Sequence, residues 1–543
     1  MRQLVAIVVS VAALAATVFV AFRATSHMVP TLGGAYIEGV GGSPTAIDPL
    51  FASLNDVDKD IVSLIYSGLT RLGKQGEIVP DLAQSWDISP DGLIYTFRLR
   101  DGVKWHDGAP FTADDVVFTI KAIQDPDFQG LPDLANLWKG VLVQSKDPLT
   151  VSFNLPRPFA PFLSYTTIGI LPKHLLAGVK AADMPIHSIN GNPVGTGPFR
   201  FKNATIENLV LEKNPTYFGG STFLDQVEFK FFPDYQSALV ALNKGDVNGV
   251  FLRPGASAEE LGKLKEANRF SLEQAERTAY SMVFLNNKRP LFADKRVRQA
   301  MLYALDRDDI IKTVLAGQGV RADSPVLPKT WAYDGQVKQY AYNQEKARAL
   351  FKEAGWQVGA SGVLEKDSQQ FRFNLLTNDD PLRIAVGQAV ARQLAAIGIR
   401  AELSASGSTG LLQTYLIPRN YDAILFGWEA GYDPDSYSIW HSSQITEDGL
   451  NIASYSSPDA DKLLDEAQKT SDMGRRKELY AKFQELFADD VPSILLYYPM
   501  YTYVQDKKVK GVQLGVMFEP SSRFYNINRW YVNMKRTWLP QSR

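Results

Sequence analysis

Residues 371–427 restrict the fold more than any other stretch of the chain. Phe371, Phe373 and Leu375 alternate with polar neighbours, the pattern of a half-buried strand. Residues 384–397 then carry apolar side chains at helical spacing, and Gly398 supplies the stop. Residues 399–403 read as extended, a short helix is expected around 411–416, and 421–426 form a third strand. Strand–helix–strand–helix–strand implies right-handed crossovers and a mostly parallel sheet, so the chain is α/β. Ligands of such sheets bind beyond the carboxyl ends of the strands. The third strand runs there into Gly427-Trp428-Glu429-Ala430-Gly431-Tyr432-Asp433-Pro434-Asp435. That loop offers glycines for close approach, aromatic faces for stacking and three carboxylates.

A chain of 543 residues is too long for one simple core, and two or three domains are expected. A net charge of −2 provides no field for nucleic acid or an anionic membrane. With 9 Trp, 23 Tyr and 29 Phe, aromatic side chains suffice for core and ligand pocket together. Cysteine is absent, which removes disulfides, thiolate catalysis, Cys-ligated metal and a lipid-bearing cysteine. The five histidines are scattered without an H-E-x-x-H, and no G-x-S-x-G occurs. Gly39-Val40-Gly41-Gly42 lacks the spacing of a dinucleotide fingerprint. No catalytic residue, metal ligand or cofactor is therefore expected. A hydrolase working in a cleft is the competing class of function.

Residues 4–22 form an uncharged apolar run of 19 residues between Arg2 and Arg23. The run is near the lower length of a membrane span and long for the core of a signal peptide. Two readings lead, an uncleaved signal anchor or a signal removed at the small residues of Ala24-Thr25-Ser26, with a buried helix of a soluble protein behind them. Both leading readings put the body of the protein outside the cytoplasmic membrane. The glycine-rich residues 33–43 are expected to link this segment to the first strand.

Elsewhere, Asp234, Asp294 and Asp306 stand as N-caps ahead of helical patterns, and Gly245 and Gly317 as stops. Helices are expected over 459–469 and 475–487, with 491–504 extended. In residues 80–120, Ser89-Pro90-Asp91-Gly92 turns between two extended runs, and Tyr95, Phe97 and Leu99 share one face. His106-Asp107-Gly108 lies in a second turn, for which a structural role is expected. Thr112 and Asp115 then make a near capping box before a helix at 116–123.

This order of parts resembles the extracytoplasmic solute-binding proteins of the peptide/oligopeptide/nickel type, the receptors that feed ABC importers. Asn192-Pro193-Val194-Gly195-Thr196-Gly197-Pro198-Phe199 is similar to that family's P-x-G-T-G-P-F/Y signature. Phe292 to Ala300 with Tyr303-Ala304-Leu305-Asp306-Arg307 is similar to its central helix. Asn451 to Tyr455 with Asp461-Lys462-Leu463-Leu464 is similar to its late N-x-x-x-Y and D-x-L-L stretch. The resemblance implies a two-lobed periplasmic-binding-protein-like fold with an extra subdomain in the first lobe. Lobe I would span 33–285 with the insertion at about 61–190, lobe II 286–505, and 506–543 would return to lobe I. The hinge crossings are expected near Asn286 and Gln505.

The resemblance also implies a monomer that closes on a peptide or other small molecule and docks on permease subunits. Peptides come first, oligosaccharides second and nickel complexes third. In relatives the tryptophan of the loop lines the pocket, and Trp428 matches it. In peptide-binding relatives an aspartate of that loop pairs with the α-ammonium. Here the loop is one residue shorter, the expected position falls near Gly431, and Asp433 is the nearest substitute. Tyr432, Trp440, Asn378 and Asn451 complete the expected ligand-binding set. Trp428, Tyr432, Asp433, Trp440 and Asn378 each also have a structural alternative, as core, turn or cap.

Overall fold

The computed structural model describes residues 26–252 and 256–537, together with Ser10 and Ala12. Those two positions aside, the apolar run 4–22 and the adjoining Ala24 and Thr25 lie outside the described residues. The α/β segment forms as its pattern requires. Strand Arg372–Asn378 leads into helix Pro381–Ala395, which is capped by the Asp380 side chain accepting from the Arg383 N–H. Gly398, at φ +89°, turns the chain back into Arg400–Ser406. That strand and Ala423–Glu429 lie parallel to Arg372–Asn378, one on each side. The short helix expected at Leu411–Leu416 is there, wound as a π-helix.

Beyond this segment the sheet becomes mixed. Its 12 strands are continuous through Ser493–Asp506, a 14-residue strand. The first part of that strand pairs antiparallel with Ala279–Leu285, Ser281 opposite Tyr497. The second part pairs with Phe270–Glu276, Glu276 opposite Met500, and with Gly249–Leu252. Both ends are buried, and only Pro499 and Met500 in the middle are half-exposed. The packing changes hands at the same place. One core gathers Tyr36 to Phe229, returns at Ala275 and closes with Tyr501 to Trp530. Two others lie wholly between Tyr280 and Tyr498. Side-chain packing therefore changes over at 277–278 and 499–500.

Residues 33–43 are not a linker. They contain strand Ala35–Gly41, paired on both sides within the large sheet. Helix Tyr235–Lys244 lies directly over it, and a Cβ on Gly41 would stand 3.0 Å from the Tyr235 backbone nitrogen. The glycines here serve close packing.

The inserted unit is a four-stranded antiparallel sheet, in the order Ala83–Ile88, Ile94–Leu99, Thr150–Asn154 and Leu142–Asp147. Tyr95, Phe97 and Leu99 point into its core, and Thr112 and Asp115 form the capping box of helix Ala113–Gln124. Two motifs distant in sequence lock together below it. The His106 N–H donates to the Gly195 carbonyl at 2.9 Å, and the Gly195 N–H donates to His106 Nδ1 at 3.2 Å. His106 Nε2–H donates to the Gly197 carbonyl at 3.1 Å. Gly195 itself presses on helix Asp56–Ile65, where a Cβ would fall 1.9 Å from the Ile65 carbonyl oxygen.

The C-terminal stretch returns to the first core through a buried ionic cluster. Arg523 pairs with Glu38 at 2.8 Å and with Asp60 at 2.5 Å, and the Tyr36 and Tyr503 hydroxyls donate to Glu38. Breaking such a cluster by removing its cation leaves two buried carboxylates unpaired. Arg523→Met should lower the unfolding free energy by about 3–5 kcal/mol in urea titration.

Burial pushes the His106 imidazole down to about 4. The unfolded chain binds that proton below about 6.5 and the folded chain does not, so this contribution is complete above 6.5 and falls away towards 4. Wild type should lose about 2–3 kcal/mol between pH 7 and 4 that His106→Gln does not lose, as read from denaturation at each pH.

Candidate functional site

The third parallel strand continues past Phe426 to Glu429 because Ala279–Leu285 pairs with it along its whole length, Ala279 opposite Glu429. Trp428 is thus a strand residue, opposite Tyr280. Immediately after it the Ala430 N–H donates to the Thr278 carbonyl at 2.7 Å, which fastens the loop to one of the two crossings. Between this loop and the first core lies a cavity of about 770 Å³. The packed unit between the crossings contributes Trp331 and residues 428–439; the other contributes Tyr66, Phe159, Tyr165, Gly169 and Glu519. The volume lies within the range of small-molecule sites.

Trp428, Tyr432 and Asp433 stand together on its wall. Trp428 is half-buried against the second core. The Tyr432 hydroxyl donates to Glu519 at 3.1 Å and its ring meets Phe518 edge-on at 5.1 Å, a contact between the two packed units. Burial, then the Glu519 charge, holds this hydroxyl well above its ordinary value. Asp433 is held by a fork of two bonds from Arg476, at 2.9 and 2.6 Å. Arg476 is itself buried; it also donates to the Ala467 carbonyl at 3.1 Å and the Tyr480 hydroxyl at 3.0 Å, and lies over the Trp331 ring. Burial works against its charge, and Asp433 and Tyr480 outweigh burial and keep it protonated. Asp433 is thereby neutralised from inside the protein.

Asp435 is different. Its carboxylate accepts from Gln468 Nε2 at 2.7 Å and from the Tyr437 N–H at 3.1 Å, and among the described residues no cation pairs with it. Burial, then the neighbouring Asp433, pushes it up to about 6. The sequence counted this carboxylate without singling it out; the signal that separates it from Asp433 is Arg476, 43 residues from Asp433 in the chain.

The other expected residues lie elsewhere. Trp440 is a core residue, stacked on Phe284 and edge-on to Phe487 at 4.7 Å. Asn451 is fully buried; its amide donates to the His441 and Tyr455 carbonyls and its oxygen accepts from the Tyr455 N–H, so it braces a loop. Asn378 ends Arg372–Asn378, one strand farther from the crossing than Ala423–Glu429, and it is not on the cavity wall. Lys59, Arg157, Phe159, Tyr165, Trp331 and Glu519 do line the cleft. No periodicity or motif marked them.

The family description "Bacterial extracellular solute-binding proteins, family 5 Middle" matches residues 77–449. The chain belongs to this family. The oligopeptide-binding protein AppA of Bacillus subtilis is 34% identical over 516 residues, covering 93% of this chain and 92% of AppA. The dipeptide-binding protein of Escherichia coli is 30% identical, covering 87% of this chain and 90% of that protein. The structure of B. subtilis AppA in complex with a nonapeptide superposes with a TM-score of 0.68 at 33% identity, covering 93% of this chain and all of that one (100%). Like other family-5 proteins, this one is an extracytoplasmic solute-binding receptor with a mixed α/β fold.

Within this receptor the Asp433–Arg476 pair serves the fold. Arg476→Gln should destabilise by about 3–5 kcal/mol, because it strands a buried carboxylate. A melting curve checks this, with the fall smaller in Arg476→Gln/Asp433→Asn, where both charges are gone.

Proposed function

We propose that the protein is the peptide receptor of an ABC importer, closing on di- or oligopeptides in its cleft and delivering them to a membrane permease. One observation carries the reading. The cavity lies where two packed units meet, and those units are joined by strands whose changeover points are confined to 277–278 and 499–500. Small backbone rotations at two such points open or close the cleft, and a ligand touching both sides favours the closed form. The relatives with peptides in their names, and the nonapeptide bound by one of them, support peptides over sugars and nickel complexes.

Trp428 gives the ligand a stacking face. Asp433 is occupied by Arg476, so Asp435 takes the α-ammonium. A charge-assisted bond in a water-poor cleft is stronger than a neutral one. The reading makes no use of catalysis, and the bound peptide should be recovered from the protein unaltered. Calorimetric titration and melting curves with peptides of two to nine residues test it. Failure of every such peptide to raise the melting temperature overturns it.

Attachment to the outer face of the membrane is part of the proposal, on the strength of the apolar run 4–22 between Arg2 and Arg23. Among the described residues no helix is long and apolar enough to cross a membrane, and of this run only Ser10 and Ala12 are among them. The intact mass of the native protein decides whether the run is retained.

Trp428→Ala should weaken peptide binding by about 1–3 kcal/mol while the empty protein still folds, as calorimetry and a melting curve together would show. Asp435→Asn should cost about 2–5 kcal/mol for a peptide with a free amino terminus and little for its N-acetylated form. Additive losses in that cycle, followed by calorimetry, would remove Asp435 from the role.

A further inference from the structure

A second cavity, of about 390 Å³, adjoins the cleft behind the Tyr432–Glu519 contact. Ser63, Tyr66, Thr167, Tyr432 and Glu519 line both spaces, so the wall between them is one layer of side chains. Tyr432 alone among the described lining residues comes from the second packed unit; the rest of the chamber belongs to the first. Its mouth is therefore assembled when the two units approach.

The chamber holds two guanidinium groups with donors to offer. Arg100 Nε donates to the Asp81 carbonyl at 2.7 Å, which holds the side chain against the Phe218 ring, 5.7 Å from its centroid. Its terminal nitrogens meet no acceptor among the described residues. Arg71 Nε stands 4.0 Å from the Asp81 carboxylate, beyond hydrogen-bond reach. Asp81 is a weak counter-ion for them: burial outweighs both arginines and pushes its carboxyl up to about 7. The negative charge at the mouth is engaged as well, since Glu519 accepts from Tyr432 and Ser521 and lies 3.8 Å from Lys59. Paired arginines in a polar recess match the planar, two-oxygen geometry of a carboxylate.

We propose that this chamber takes a carboxylate of the bound peptide, reached past the Tyr432–Glu519 contact and held by Arg71 and Arg100. The proposal rests on the peptide-receptor reading and extends it to both ends of the ligand. Asp435 faces the cationic end in the main cleft and the two arginines face the anionic end in the chamber. A peptide confined to the cleft leaves the chamber to water, so only longer peptides gain from it.

Three synthetic nonapeptide pools test the inference on the full chain. Two are randomised without Asp or Glu, one with a free C-terminal acid and one as the C-terminal amide. The third is an amide pool that includes Asp and Glu. Peptides retained by wild type, Arg71→Gln and Arg71→Gln/Arg100→Gln are eluted and quantified by mass spectrometry. Wild type should retain acids over amides by about tenfold, the single variant less, and the double variant neither over the other. Enrichment of Asp or Glu from the third pool, lost in the double variant, would support the chamber with a side-chain carboxylate as its occupant. Equal retention of acids and amides by wild type without that enrichment overturns the proposal, as does a preference that survives in the double variant. Should the double variant not fold, Arg71→Gln decides: its side chain is half-exposed, and an unchanged preference overturns the proposal. If wild type retains no peptide from any pool, the receptor reading has failed and the chamber goes with it. That outcome is distinct from peptides bound without regard to their carboxylates.

Discussion

Ser493–Asp506 pairs with four strands and enters both halves of the molecule. Its ladder is continuous, yet the side chains on either side of Pro499 and Met500 belong to different cores. Proline has no N–H to give the ladder, and here the Pro499 carbonyl still accepts from the Arg277 N–H at 2.9 Å. The two changeover points, 277–278 and 499–500, are thus bonded to each other. This constraint fixes the position of the cleft. It also ties the cleft to the crossing, because the loop bearing Trp428, Tyr432 and Asp433 begins with a backbone bond to Thr278. The loop and the changeover point are therefore joined by a single backbone bond.

Electrostatics then separates fold from ligand. Arg523 and Arg476 are both buried and both pair with carboxylates, Glu38 and Asp60 in one case and Asp433 in the other. Burying charges is tolerable only with such partners. Glu429 is likewise paired, with Arg277 at 2.7 Å. Among the described residues, the carboxylate on the cleft wall that no cation pairs with is Asp435. Burial and the neighbouring Asp433 push its carboxyl up to about 6, so its charge is costlier there than in water, and a cation placed beside it would offset that cost.

Much of the fold was legible because it rests on local rules. The hairpin at 89–92, the Thr112–Asp115 capping box and the caps at Asp234, Asp294 and Asp306 all formed where their residue types demand. So did the α/β segment, with its period changing from two to helical and back. The errors arise where a glycine or an asparagine has two physical uses. Gly39 and Gly41 read as linker residues because glycine is common in flexible chain, whereas here Gly41 lets a helix approach the strand and Gly39 makes room for Val247 and Val250. Asn451 and Trp440 lie close to the binding loop in sequence, yet both are turned inward by contacts that no local pattern announces.

The site was legible only as far as the loop. Strand-end reasoning located Trp428, Tyr432 and Asp433, since position relative to a parallel sheet follows from the order of elements. It could not assign their charges. Whether Asp433 meets a ligand or an arginine depends on Arg476, in a helix whose register against the loop is set by the packing of Leu479, Tyr480 and Phe483. In sequence, Asp433 and Asp435 are equivalent members of one D-P-D. In space, one faces an internal guanidinium and the other an amide and a backbone N–H. Separation of the two roles is a tertiary property, because neutralising a carboxylate takes a partner from another element.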